Sequence, residues 1–226
     1  MQRFFDIFFS LTALIVLIPI FVVVILILKF TGEGEVFFKQ ARVGQNLKSF
    51  NLYKFVTMKK NSPNIASGTI TVKNDPRILP LGKYLRKTKI NELPQLFNIL
   101  LGEMSLVGPR PLTSQTFNLY SQRHRRIITK VRPGLSGLGS VIFRDEESIL
   151  NNEIDGPEFY KKSISQYKGL LEIWYIKNAN LKNYFKIIFI TIWVVIFPSS
   201  INIFKIFPGL PKPPSGLDFL ISDSQS

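Results

Sequence analysis

Ile7–Leu28 reads IFFSLTALIVLIPIFVVVILIL, 22 residues without a charge. At about 1.5 Å per residue this run is long enough to cross a bilayer core of roughly 30 Å. A helix apolar on every side has little place in the core of a short soluble chain, so the run is read as membrane-embedded. A secretory signal peptide fits poorly, because the run is too long and no small-residue cleavage site follows it. Pro19 sits in its middle, where it deletes a helical hydrogen bond and bends the axis. Two geometries stay open. A straight span places the basic remainder of the chain in the cytoplasm and the amino terminus outside. A hairpin kinked at Pro19 enters and leaves on one face.

Working outward, charge is distributed as unevenly as hydrophobicity. The 226-residue chain has 29 Lys and Arg against 15 Asp and Glu, a formal charge of +14. Residues 31–140 hold 18 of those bases and only 5 of the acids, while the rest of the chain is nearly neutral. A basic segment of this kind suits anionic headgroups, a phosphorylated substrate or nucleic acid. Next to a membrane anchor, and without any helix-turn-helix, zinc-finger or RNA-binding signature, nucleic acid is set aside. The absence of Cys excludes disulfides, thiolate zinc sites and thiol nucleophiles. A single His excludes multi-histidine metal centres, which leaves oxygen ligands and magnesium-like ions.

Local patterns give the organisation. Gly32-Glu33-Gly34-Glu35 breaks the first helix. Val36–Lys39 and Ser49–Phe55 are predicted strands around Gly44-Gln45-Asn46, and Asn61–Gly68 is a Ser/Asn/Pro/Gly loop. A basic helix is predicted over Leu79–Lys87 and another over Glu92–Leu101, ended by Gly102. Lys130–Gly139 is a Gly/Pro loop, and Pro157–Lys177 a mainly polar helix. Ile187–Phe197 is a second apolar run, too short to span and suited to the membrane interface or to packing on the domain. The expected class is α+β: a membrane helix over 1–30, a cytoplasmic domain of helices and short strands over 31–182, an interfacial apolar helix over 183–207, and an extended or disordered tail over 208–226.

The candidate chemistry lies in RKTKINELPQLFN. Asn91 reads as a helix N-cap, with Glu92 in the first turn and Pro94 tolerated there. The bland reading is that both residues only cap a helix. The functional one is that a helix start gathers amide dipoles for phosphate, with Arg86, Lys87 and Lys89 alongside and Glu92 as metal ligand or base. In Gly108-Pro109-Arg110-Pro111 two prolines restrict the backbone, so a guanidinium is presented at low entropy cost. His124 reads as a surface histidine, Glu103 as structural, and Asp145-Glu146-Glu147 as sugar ligands or as partners of local bases.

The ordered series Ala41-Arg42, Tyr53-Lys54-Phe55, Asn74-Asp75-Pro76-Arg77, Glu92-Leu93-Pro94-Gln95-Leu96, Met104–Pro111 and Val131–Leu138 resembles the bacterial sugar transferase family, the small monotopic phosphoglycosyl transferases. The resemblance implies transfer of a sugar-1-phosphate from a UDP-sugar to undecaprenyl phosphate with release of UMP, the first membrane step of surface polysaccharide or glycoconjugate synthesis. It also implies magnesium (Mg2+) as cofactor and a first helix that is broken at a proline, matched by Pro19, and re-enters the same leaflet. The expected location is the bacterial inner membrane with the catalytic domain on the cytoplasmic face. The partners are UDP-sugar, undecaprenyl phosphate and membrane lipids, with a homodimer left open. By motif match, Arg86, Arg110, Arg132 and Arg144 are expected at the phosphates, Arg132 beside a flexible Gly134–Gly139 loop that closes on the nucleotide. Family members use an Asp-Glu pair in which Asp attacks the β-phosphate. Here the Asp position is Asn91, and an amide is a poor phosphorus nucleophile and a weaker magnesium ligand than a carboxylate. Three routes stay open: Glu92 as nucleophile; direct attack by the lipid phosphate with Glu92 on magnesium; or a degenerate site in a weak enzyme or membrane-anchored scaffold.

Overall fold

The computed structural model describes residues 1–31, 33–60, 62, 75–151, 156–197 and 202–222. The Asn61–Gly68 loop lies outside them except for Ser62, as do Asn74 and Pro198. Helix α1 runs over Gln2–Phe30 with Pro19 inside it. Helical backbone continues through Pro19, which removes the N–H it lacks, so no interruption of the helix marks the proline.

Two strands follow, β1 (Phe37–Val43) and β2 (Ser49–Phe55), paired antiparallel from Phe37↔Phe55 to Val43↔Ser49. Helix α2 covers Pro80–Lys87 and α3 covers Gln95–Leu101. Beyond them come β3 (Ser105–Val107), α4 (Ser114–Phe117), α5 (Gln122–Ile128), β4 (Gly134–Ser136) and α6 (Leu138–Ile142). Strands β3 and β4 pair in parallel. The carboxyl-terminal part contains α7 (Glu146–Asn151), α8 (Gly156–Phe159), a one-turn π-helix at Tyr160–Ile164, α9 (Ser165–Lys177), α10 (Leu181–Ile196), α11 (Ile203–Ile206) and α12 (Phe219–Ser222).

The main core gathers on α9. Ile164, Tyr167 and Leu171 pack with Leu138 of α6, Tyr184 and Ile187 of α10, and Leu217 near the end of the chain. The segment after Pro208, expected as an extended or disordered tail, is mostly irregular yet seated: Leu210 and Leu217 are buried, and the Tyr167 hydroxyl donates to the Pro211 carbonyl at 2.7 Å.

Helix α1 lies against this domain along its length. Leu14 and Leu17 pack on Phe50, Leu52 and Leu96, and Phe21, Val24 and Leu28 pack with Phe55 and Leu85. Near its start, Asp6 is buried and accepts hydrogen bonds from the Ser105 hydroxyl (2.9 Å), the Leu106 N–H (3.0 Å) and the Tyr184 hydroxyl (2.9 Å). Three donors of this quality remove the cost of placing a carboxylate beside an apolar run. The other face of α1, including Phe8, Leu11, Ile15, Val16 and Val23, is exposed and uncharged. Phe189, Ile192, Trp193 and Ile196 of α10 are exposed too, and Phe185 meets the rings of Phe5 and Phe9 at 5.0 and 6.1 Å, joining the two apolar faces.

Candidate active site

The turn that carries Glu92 departs from the expected helix start. Lys89 takes a left-handed conformation (φ 61°), uncommon outside glycine, and reverses the chain after α2. Ile90–Glu92 then form a single 3₁₀ turn, in which the Leu93 N–H donates to the Ile90 carbonyl. The reason is Pro94, which has no N–H with which to close an α-helical bond to Ile90. Asn91 is consequently no N-cap. It is buried inside the turn, and its Oδ1 has no hydrogen-bond partner. The bland reading, that Asn91 only caps a helix, fails on this geometry.

Glu92 faces cations from three elements. Its Oε1 lies 3.1 Å from an Arg110 guanidinium nitrogen and 3.4 Å from Lys54 Nζ, and its side chain is 13% exposed. Burial alone would raise its pKa; Lys54 first, then Arg110 and Lys89, outweigh burial and hold it well below the usual carboxylate range. Burial pushes Lys54 down to about 8 against the pull of Glu92, with Arg110 and Arg42 adding to the drop. Burial likewise lowers Arg42 to about 10, with Arg110 contributing. Arg110 moves the other way, raised chiefly by Glu92, and its side chain is 40% exposed, so the cluster opens to solvent there. More cations than carboxylates surround Glu92, which is the electrostatics of a phosphate site.

Main chain places Arg110 there. The Gly108 N–H donates to the Ser136 carbonyl and the Gly134 N–H to the Pro109 carbonyl, zipping the two Gly/Pro words together. A Cβ on Gly134 would sit 2.1 Å from the Gly108 nitrogen, and one on Gly137 2.3 Å from the Gly108 oxygen, so only glycine allows this approach. The loop expected to be flexible and to close on a nucleotide is corrected on this point: Gly134–Ser136 is a strand, and Gly134 and Ser136–Gly139 are buried. Arg42 ties β1 to the same turn by donating to the Pro111 carbonyl at 3.0 Å.

Arg132, another of the expected phosphate ligands, is engaged elsewhere. Arg132 donates its Nε to the Gly102 carbonyl at 2.8 Å, at the opposite end of α3 from Glu92. There it joins Arg3, which donates to the Ile99 and Leu100 carbonyls, so both arginines satisfy the helix's last acceptors. Arg86 is half-buried in the last turn of α2. Arg144 is half-buried just before α7. Glu103 is structural as expected, accepting from Asn98, whose side chain also bonds the Tyr53 N–H and Asn51 carbonyl and so pins α3 to β2. Asp75 and Arg77 form a buried ion pair within their own motif. His124 is no surface residue: it is buried against Gly169, where a Cβ would come within 2.4 Å of its Nδ1.

Sequence reasoning left four neighbours of the site without a role. Arg42 and Lys54 appear in its motif series, and Lys54 shares the inward parity of Phe50 and Leu52 on β2. Lys168 and Glu172 repeat at four-residue spacing from buried Ile164 on α9. Lys168 pairs with Glu146 and lies over the rings of Phe143 (5.1 Å) and Tyr160 (5.6 Å). Of the acidic run, Glu146 is thus a partner of a local base, Asp145 starts α7 through its carbonyl, and the Glu147 side chain lies outside what is described.

Glu172 is 4% exposed, and a Cβ on Gly139 would sit 2.7 Å from its Oε1. Burial pushes it up to about 8 against the Arg110 N–H, then Lys168 and the Gly139 N–H. From about pH 4.5 to 8 the unfolded chain ionises here while the folded chain keeps its proton, so this residue costs stability as pH rises. Glu172→Gln, which does not titrate, should gain a few kcal/mol on the wild type between pH 5 and pH 8. Denaturant midpoints at the two pH values check it; a difference that stays flat removes Glu172 as a buried titrating acid.

The Bacterial sugar transferase family model matches residues 1–198. The chain is 37% identical over 202 residues to the exopolysaccharide production protein PSS of Rhizobium leguminosarum bv. phaseoli, covering 85% of this chain and 93% of the relative. It is 34% identical over 206 residues to an undecaprenyl-phosphate glucose phosphotransferase of Komagataeibacter xylinus, covering 87% of this chain and 36% of that protein. It is also 34% identical over 211 residues to an undecaprenyl-phosphate galactose phosphotransferase of Salmonella typhimurium, covering 87% of this chain and 40% of that one.

Proposed function

Since the chain belongs to the bacterial sugar transferase family, we propose that it transfers a sugar-1-phosphate from a UDP-sugar to undecaprenyl phosphate, releasing UMP. The observation that carries the reading is Glu92 held between Lys54 and Arg110 in a pocket with surplus positive charge. Two anionic phosphates must meet for this reaction, and positioning plus charge stabilisation accounts for most of its catalysis.

Asn91 carries no nucleophilic oxygen anion, and Glu92 has its charge spread onto two cations, which weakens it as a nucleophile. The favoured route is therefore direct displacement. An oxygen of the lipid phosphate attacks the β-phosphorus, the bond from that phosphorus to the bridging oxygen breaks, and UMP leaves with the electron pair. Arg110 and Lys54 hold the phosphates, and Glu92 keeps those two cations in register.

Magnesium fits as an ion carried in on the diphosphate. Both ion pairs of Glu92 use Oε1, and Asn91 Oδ1 is buried without a partner, so Glu92 Oε2 and Asn91 Oδ1 are the oxygens to hold it. Among the described residues, no three acidic or histidine side chains gather to bind a metal alone. Bound there, magnesium would neutralise part of the phosphate charge. Re-entry of α1 from one face, with the domain on the cytoplasmic face, is part of the same reading, supported by the domain's hold on both Asp6 and Leu28.

The test is transfer from a panel of labelled UDP-sugars to undecaprenyl phosphate. A labelled lipid diphosphate with equimolar UMP is expected, and a folded protein inactive with every donor overturns the reading. Asn91→Asp should preserve or raise transfer and should introduce exchange of labelled UMP into UDP-sugar without lipid. The wild type should lack that exchange; its presence in the wild type would favour a covalent route through Glu92.

A further inference from the structure

Alongside the Gly108–Arg110 turn lies a second polar group that phosphate transfer does not require. Gly137 abuts the Gly108 carbonyl, the Glu172 carboxylate lies against Gly137 and Gly139, and Lys168 stands one turn before Glu172 on α9. Lys168 extends over Tyr160 to the Glu146 carboxylate. Glu172 Oε2 is buried without a hydrogen-bond partner. The Tyr160 hydroxyl makes no hydrogen bond with any described residue, although Tyr160 is 9% exposed and belongs to the π-helical turn. Such turns are frequent at functional sites. A buried carboxylate oxygen without a partner, such as Glu172 Oε2, is costly unless something else satisfies it. The Glu146 side chain is 26% exposed and its charge acts on Arg110, which puts solvent access to the group near that residue.

The group contains one acceptor pair, one ammonium and one hydroxyl, a set that matches the vicinal hydroxyls of a hexose rather than a phosphate. A phosphate would be repelled by the Glu146 carboxylate. We propose that Glu146, Tyr160 and Lys168 form the wall that reads the sugar hydroxyls of the donor, and so determine which sugar is transferred; this rests on the transfer reading above. With the diphosphate on Arg110, the attached sugar lies next to this wall, while the nucleoside leaves with UMP.

The test compares kcat/KM for the best UDP-sugar of the panel and for its epimer at a single hydroxyl, in wild type, Tyr160→Phe and Glu146→Gln. Loss of a hydroxyl-reading group changes the ratio of the two donors, by about tenfold in at least one variant. A purely structural defect lowers both donors alike and leaves the ratio unmoved. Tyr160→Phe deletes one oxygen, so it carries the test if Glu146→Gln fails to fold. Ratios equal to wild type in folded, active variants overturn the sugar wall and leave the transfer reading standing. A wild type inactive with the whole panel overturns both.

Discussion

Glu92→Gln is expected to reduce transfer by about a thousandfold or more, because it removes the carboxylate that pairs with both Lys54 and Arg110. The amide keeps the shape and loses the charge. Lys54 and Arg110 then face each other uncompensated, and Arg42 adds a third positive charge nearby. Removing one partner of a buried pair costs about 3 kcal/mol, and the partial exposure of Arg110 keeps the loss near the low end. The variant should therefore fold with a lowered melting temperature and no measurable turnover. Lys54 should regain less of its charge without Glu92 to favour it, which weakens donor binding as well as chemistry. Steady-state transfer at saturating donor is the measurement, with melting as a control for folding. Turnover within tenfold of wild type would remove Glu92 from the mechanism.

Gly134→Ala is expected to be as damaging although it touches no charge. The new methyl group would lie 2.1 Å from the Gly108 nitrogen and 2.6 Å from its oxygen, and both neighbours are backbone, which cannot swing aside. The parallel pairing of β3 with β4 must open or shift. Overpacking of this kind costs about 3 kcal/mol or more, and in a domain of this size that lowers the melting temperature by roughly 10 °C. Function suffers further, because Arg110 is presented by the same turn and a displacement near 1 Å costs about a hundredfold in rate. Thermal melting and transfer in detergent, with Ser215→Ala at an exposed position outside the turn as a control, separate the outcomes. A variant with wild-type melting and turnover would mean that the two Gly/Pro words do not need to touch.

Much of this was legible in the sequence. The apolar run of Ile7–Leu28 announces α1, alternation announces β2, and Gly102 stops α3 at the expected place. Glu92 and Arg110 were recognisable because each sits in a rigid, Pro-bounded word. What failed were inferences from local pattern to conformation. Glycine at 134 and 137 reads as freedom, whereas here it permits close approach of two main chains, and only the partner strand reveals that. Asn91 reads as a cap until the missing N–H of Pro94 is followed through. Arg132 matches the motif, yet its guanidinium is needed at the carbonyls that end α3. Lys168 and Glu172 drew no reading within the polar helix predicted over Pro157–Lys177, because their partner Glu146 and their neighbour Gly139 lie at least 22 residues away in the chain.

An apolar rod in hydrocarbon can roll about its own axis at almost no cost. Asp6, gripped by Ser105, Leu106 and Tyr184, removes that freedom. On the membrane-embedded reading proposed above, lipid tails would meet one fixed stripe of side chains, because three hydrogen bonds lock the rotation of α1 against the domain.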